Sequence, residues 1–352
     1  MKGKFGLSVA FVLILSLILA ACGGGGQSSS GAQSSPSASA PASSQPQAGK
    51  TYSFKLAHIT QPTHIWHKTA EKFGEELKAR SGGRMSLEIF PASQLGPEKD
   101  MVQQVETGAV EFAIISGGYL SSVIESFNAW FMPFLFKDIE EAVKARQSEP
   151  ALRILQELEK QGIMGMDYIF AGNRHVLMRD TSVTNPEDLK GKKIRIVGSP
   201  SIQDFWKAVG AGPTPMPLPE VFMGLQNGVI DGIDIDLDAL MTEKFYEPAN
   251  YFTLTNHMTW PGAAMMNRAK FDSMPPEDQN IVLESMKAAA DWAAQEVVLM
   301  ESKNLEDLKA LPKVTVTELE DLQTFQPIRE EMYNKYSSNE LIKAFIEAHR
   351  KD

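Results

Sequence analysis

The stretch GNRHVLMRDTSVTNPEDLKGKKIRIVGSP, Gly172 to Pro200, decides how this chain is read. Its two apolar segments, VLM after Arg174 and the KIRIV run around Arg195, are separated by Asn185-Pro186-Glu187-Asp188, a turn sequence in which Pro presets φ and Asn caps. The spacing puts Arg174 and Arg195 at the starts or ends of two strands. A guanidinium held on a strand in a partly dry cleft suits a carboxylate, because its planar fork matches two oxygens. The alternative for a lone strand arginine is a solvated face, here beside Lys192 and Lys193.

Around this stretch the chain alternates strands with helices. YSFKLA (Tyr52 to Ala57) predicts a strand, and Thr63 to Arg80 has helical apolar spacing at Ile65, Trp66, Phe73 and Leu77. MSLEIF (Met85 to Phe90) predicts a second strand, Pro97 to Thr107 a helix closed by Gly108, and Glu111 to Ile115 a buried strand. Such a series implies a parallel sheet with its loops opening at the carboxyl ends of the strands. Ile139 to Gln161 reads as one longer helix, followed by a strand at Ile163 to Tyr168. A second unit repeats the order. Lys193 to Val197, Pro213 to Met216 and Ile230 to Ile235 are extended, with helices at Ser201 to Val209 and Glu220 to Gln226. Tyr251 to Met258 and Ala263 to Asn267 are two further extended pieces. Glu277 to Leu311 holds 35 residues without Gly or Pro, which as one helix would span roughly 50 Å. A break near Asn304 is the alternative to an unbroken spine. Val314 to Thr317 and two helical patterns complete an α/β chain with no fixed-period repeat.

The first residues address the chain. Lys2 and Lys4 precede an apolar run, Phe5 to Leu19, and then Leu-Ala-Ala-Cys, Leu19 to Cys22. This is the pattern of a lipoprotein signal, with residues 1–22 as leader and Cys22 as the lipidated residue. Cys22 is the single cysteine, so no internal disulfide forms. Residues 23–49 are Gly, Ser, Ala, Pro and Gln without charge or aromatic side chains. They read as a flexible tether with a reach of roughly 30 Å. The remaining 300 or so residues are long enough for two lobes. The net charge is −10 over the full chain, without a basic tract. That argues against nucleic acid as a partner and leaves room for a local arginine pair that binds an anion.

Several short motifs, in one order and spacing, carry a resemblance to the DctP family of extracytoplasmic solute receptors, which serve TRAP (tripartite ATP-independent periplasmic) transporters. They are PASQLG (Pro91 to Gly96) with Glu98, GNR, DLKGKKIR, PTPMPLPEV (Pro213 to Val221), LQNGVIDG (Leu225 to Gly232) and KFYE…TNH (Lys244 to His257). The resemblance runs from about Tyr52 to the end. It implies a two-lobed periplasmic-binding-protein-like fold (a Venus flytrap) with cross-over strands and a long spine helix. Lobe I would be 51–171 plus 260–300, and lobe II 172–259 plus 301–352. It implies a non-enzymatic, monomeric receptor for a small organic acid that delivers its cargo to the small and large TRAP membrane subunits, without a cofactor. A substrate-binding lipoprotein of an ABC importer and a ligand-presenting partner of a sensor kinase are the alternatives. By the same resemblance Arg195 makes the main two-pronged salt bridge to the ligand, and Arg174 a second contact.

The departures narrow the ligand. In sialic-acid-binding members, polar or aromatic contacts occupy positions aligned with Ile59, Ser116, Gly198, Leu218 and Ile235 here. A polyhydroxylated nine-carbon acid would leave hydroxyls unpaired against these side chains, so a smaller or more apolar acid is expected, with a hexuronate bound through other residues as the alternative. Ser116, Ile235 and the cross-over Trp260 are the further wall candidates, while Trp66 and Trp206 read as core. Glu98 reads as favouring a helix N-terminus, with ligand contact as its second reading. His58, His64 and His67 read as surface or capping residues rather than zinc ligands. Asp231, Asp234, Asp236 and Asp238 read as helix caps or solvated lobe-edge residues, with Asp234 as the candidate if a cation bridges the ligand. No nucleophile-base pattern or phosphate loop is present.

Overall fold

The computed structural model describes residues 49–319 and 322–351. The leader, Cys22 and all but the last residue of the tether lie outside the described residues. Nine strands form one mixed sheet: β1 Tyr52–His58, β2 Met85–Phe90, β3 Phe112–Ser116, β4 Ile163–Met178, β5 Lys193–Ile196, β6 Gly212–Pro215, β7 Gly232–Asp236, β8 Tyr251–Asn267 and β9 Thr315–Glu318. The order is β2-β1-β3-β8-β4-β7-β5-β6, with β9 on β8. Each end is a parallel triplet, β2-β1-β3 and β6-β5-β7. The two long strands, β8 and β4, join them by antiparallel pairing. The expected parallel series therefore holds within each end, and the returning strands make the sheet mixed.

Both cross-over strands are longer than local patterning suggests. β4 continues past Tyr168 through Gly172-Asn173-Arg174 to Met178, so Arg174 lies inside a strand and not at its edge. β8 is continuous from Tyr251 to Asn267 and includes Pro261. Proline normally interrupts a ladder. Here it falls where the pairing of β4 with β8 shifts register after Phe170, so its missing N–H coincides with an existing irregularity. β4 is buried along nearly its whole length, which erases the alternation that would have marked it as a strand.

The Ile139–Gln161 helix is in fact broken. Ile139–Ala145 and Glu149–Gln156 are separate helices followed by a 3-10 turn to Gln161. Ser148 caps the second by accepting from Ala151 N, and Pro150 occupies its first turn, a start signal strong enough to end the preceding helix. By contrast Pro276–Lys309 is one unbroken helix of 34 residues, with no interruption at Asn304. The turn between the arginines is a 3-10 segment, Pro186–Leu189, closed by an Asn185/Asp188 capping box.

Core packing is tight where β8 meets the first helix. Trp66 is fully buried, its Nε1 donating to Ile169 O at 3.0 Å, and a Cβ on Gly262 would lie 2.7 Å from its ring. Gly262→Ala should therefore destabilise the fold by roughly 1–3 kcal/mol through overpacking, measurable as a lowered midpoint in urea unfolding. An unchanged midpoint would mean that this wall of the core can shift.

Candidate functional site

Strands β1, β5, β6 and β7 send the loops at their carboxyl ends toward one point, where open α/β sheets place ligands. A small cavity of about 30 Å³ lies there. Its walls are Ile59 and Thr60 after β1, Val197 after β5, Leu218 after β6, Ile235 and Asp236 closing β7, and Trp260 on β8. Arg174 and Arg195 both reach it. Four of the expected site residues, Arg174, Arg195, Trp260 and Ile235, thus meet at one cavity.

The two arginines differ in their partners. Both are 2 % exposed. Arg174 donates from Nε to Asp234 Oδ1, from Nη1 to Asp236 Oδ2 (3.1 Å) and from Nη2 to the Asp234 carbonyl, and its Cζ lies 4.0 Å above the Trp260 ring. Arg195 donates from Nε to the Met216 carbonyl at 2.9 Å. Among the described residues, its two Nη groups have no protein acceptor. Burial first, then the neighbouring Arg174 charge, lowers Arg195 to about 10, so it stays a cation at neutral pH. Arg174 is charge-paired; Arg195 presents an open fork.

The aspartates explain the pairing and correct the expectation of solvated edges. β7 reads Gly-Ile-Asp-Ile-Asp, so alternation puts Asp234 and Asp236 on one face, opposite Val176 and Arg174 of β4. Both are buried. Burial alone would raise Asp234, but the Arg174 charge and the Trp206 and His257 side chains hold it well below the usual carboxylate range. Its oxygens take Arg174 Nε and Trp206 Nε1 (3.0 Å), with His257 Nε2 at 3.5 Å. With both oxygens engaged, Asp234 is not a free cation ligand. Asp236 caps the helix Leu237–Thr242 through Ala239 N, as the capping reading expected. The Asp238 carboxylate accepts from Ile65 N at 2.7 Å.

Glu98 and Ser116 stand outside the cavity lining and bind one another. Glu98 starts the helix Glu98–Thr107 and accepts from Ser116 N (2.6 Å) and Oγ (3.0 Å). Ser116 Oγ also caps the helix Gly117–Val123. Leu218 and Ile59 do line the cavity; Gly198 does not. His58, His64 and His67 are buried, not superficial. His64 is the N-cap of Ile65–Arg80, and His58 Nε2 pairs with His67 Nδ1 at 3.0 Å, which lets the rings sit out of water. Trp66 and Trp206 are core, as expected. Sequence reasoning missed Asp236 as the partner of Arg174, although the Asp-x-Asp alternation on β7 was visible. It also missed the Met216 carbonyl, which carries no side-chain signal.

The cavity is closed by contacts between the two ends of the sheet. Besides Asp238 with Ile65, Gln61 Nε2 donates to Glu243 Oε2 at 3.2 Å and Ser201 N to Asn128 Oδ1 at 3.0 Å. A volume of about 30 Å³ is far below the roughly 300 Å³ at which small-molecule pockets begin, so an organic acid enters only when these walls part. A larger cavity of about 730 Å³ lies on the opposite face of β4, beside Asn173, His175 and Glu301. Among the described residues that line it there is no buried cation without a partner, so the small cavity is the better anion site.

The chain matches the family model described as "Bacterial extracellular solute-binding protein, family 7" over residues 56–340. It is 30% identical over 268 residues (76% of this chain, 82% of the relative) to the 2,3-diketo-L-gulonate-binding periplasmic protein of Escherichia coli. It is 26% identical to the C4-dicarboxylate-binding protein of Bacillus subtilis, covering 85% of this chain and 87% of the other. Among solved structures, a TRAP periplasmic solute-binding protein from Xanthobacter autotrophicus with bound β-D-galacturonate superposes with TM-score 0.78 at 29% identity, covering 84% of this chain and 98% of that one. One from Sulfurospirillum deleyianum with bound succinate gives 0.79 at 27%, covering 86% and 100%. Fold and site together define an α/β periplasmic-binding-protein-like molecule. The chain belongs to the DctP family of extracytoplasmic solute-binding proteins, which are receptors and not enzymes.

Glu98 supplies a pH signature. Loss of solvent pushes it up from 4.5 to about 7, against the Ser116 hydrogen bonds and the Arg195 charge. Folding thus takes up a proton between those values, so this group's contribution to stability falls as pH rises from 4.5 to 7. Glu98→Gln should flatten that part of the stability-pH profile in denaturant titrations; an unaltered slope would place the proton elsewhere.

Proposed function

We propose that this protein is a membrane-tethered TRAP receptor whose Arg195 anchors the carboxylate of a small organic acid. The open fork of Arg195, buried beside a charge-paired Arg174, carries this reading. A carboxylate there replaces lost hydration with charge-assisted hydrogen bonds and relieves the repulsion between the two guanidinium groups. Arg174 is the second, weaker contact, and Trp260 and Ile235 are walls. Glu98 and Ser116 act from behind through charge and helix capping.

The rest of the ligand is small or apolar. Beyond the charged groups the walls are mainly apolar, Ile59, Trp66, Val197, Leu218, Ile235, Ala239 and Trp260, and the polar Thr60 and His64 already bond to His58 and the Trp66 amide, so hydroxyls find few partners. Relatives and neighbours bind 2,3-diketo-L-gulonate, C4-dicarboxylates, galacturonate and succinate, so one carboxylate is the shared requirement. In this reading the two ends of the sheet are lobes, 51–171 plus 260–300 and 172–259 plus 301–352, hinged on β4 and β8. Among the contacts that close the cleft, the polar ones can be exchanged for water, which lowers the free-energy cost of opening. Cargo passes to the small and large TRAP membrane subunits, and lipid on Cys22 with the 23–49 tether keeps the monomeric receptor at the membrane face.

Arg195→Ala should weaken binding of the acid at least about tenfold, the loss of one charge-assisted pair, in calorimetric titration after a thermal-shift screen of organic acids. Unchanged affinity would remove Arg195 as the anchor. Growth of the intact protein in labelled palmitate should mark it, and Cys22→Ser should abolish the label; a labelled Cys22→Ser chain would contradict the anchor.

A further inference from the structure

The segment Gly172–His175 is an unusual piece of β-strand. The β4–β8 register shifts between Phe170 and Asn173 and again between Arg174 and Val176, so Asn173-Arg174 sits between two irregularities. Gly172 has φ 142°, a conformation open to glycine. Behind this segment lies the 730 Å³ cavity, lined by Asn173 and His175, where packed side chains would ordinarily brace a central strand.

One side chain of the helix Pro276–Lys309 spans that gap. Glu301 Oε1 accepts from Asn173 N and lies 3.4 Å from His175 Nε2. Its other oxygen sits where a Cβ on Gly172 would come within 2.5 Å. His175 Nδ1 accepts from the backbone N–H groups of Thr255 and Asn256, each at 3.3 Å. That leaves the hydrogen on Nε2, directed at Glu301. The Arg174 carbonyl accepts from Thr255 Oγ1. Among the described residues, no other side chain of this helix is hydrogen-bonded to β4. The carboxylate thus offers the Asn173 peptide N–H an acceptor on the helix side, at a point where the β4–β8 ladder is irregular.

We propose that Glu301 is a positioning residue for the anion site. It fixes the backbone on both sides of Arg174 against the long helix, and Arg174, paired with Asp234 and Asp236 on the opposite face, sets the field in which Arg195 meets a carboxylate. This rests on the reading of the Arg174–Arg195 cavity as the ligand site. Glu301 touches no ligand, and its effect passes through Arg174.

The test uses Glu301→Ala, Glu301→Gln, Arg174→Lys and Arg195→Ala in the full chain, with succinate, D-galacturonate and acetate as probes. For any acid that binds, Glu301→Ala should lower affinity about tenfold or more, with Glu301→Gln recovering most of it through its amide oxygen. In the Arg174→Lys background the loss from Glu301→Ala should shrink; full additivity overturns the proposal, as does a lowered melting midpoint with affinity intact. Hydrogen exchange without any acid gives an independent arm. Amides of Asn173 and Arg174 should exchange faster in Glu301→Ala and not in Arg195→Ala, and unchanged exchange overturns the proposal even if no probe binds. Loss of affinity in Glu301→Ala with none in Arg195→Ala would instead locate the error in the anchor.

Discussion

Two guanidinium groups buried side by side are tolerable only if the structure supplies opposite charge for at least one of them. Here it supplies that charge once. Asp234 and Asp236 project from one face of β7 onto Arg174, while Trp206 and His257 steady Asp234 from behind. Arg195 has a backbone carbonyl on Nε and burial on all sides. In the proposed reading that asymmetry suits a receptor: a site with every charge paired would have no reason to take an anion, and one with none paired would resist folding.

The architecture places the asymmetry where it is usable. Each end of the sheet is a parallel triplet whose loops emerge at the carboxyl ends, and the two long antiparallel strands bring both sets of loops to one cavity. Apolar walls from both ends exclude water, which strengthens any charge-assisted bond made inside. Hydrogen bonds at the rim and apolar packing such as Phe134 against Phe205 close the cavity, while the contacts that build it are the buried ladder of β4 and β8. In the proposed two-lobed reading, the Arg174–Asp234–Asp236 cluster lies within one end of the sheet and its pairing can survive opening.

The framework of this fold was legible from composition and periodicity. The alternation of strands and helices and the long helix follow from patterns that local chemistry sets, whereas the roles of Arg174 and Arg195 and the choice of Ile235 as a wall came from the family resemblance. What was hidden has physical causes. The true lengths of β4 and β8 were masked because strands buried on both faces lose their alternation. The break at Ser148 was signalled by Ser148 and Pro150, but helical spacing that resumes in phase beyond them outweighed that signal. The burial of His58 and His67 depends on a mutual hydrogen bond that has no signature in one strand and one helix read separately. The neutralisation of Arg174 required the pairing of β4 with β7, which is a fact of topology. Glu301 lies 127 residues beyond Arg174 on an otherwise featureless stretch of helix, and nothing local distinguishes it from its charged neighbours.

The central claim is that the site recognises a carboxylate through an arginine left open for it. The most direct measurement is a pair of calorimetric titrations of the unaltered receptor, one with the tightest-binding organic acid and one with its uncharged amide. The account predicts micromolar or tighter binding of the acid and a loss of about tenfold or more for the amide, since the shape is kept and the charge-assisted pair is removed. Equal affinity for the two would contradict it.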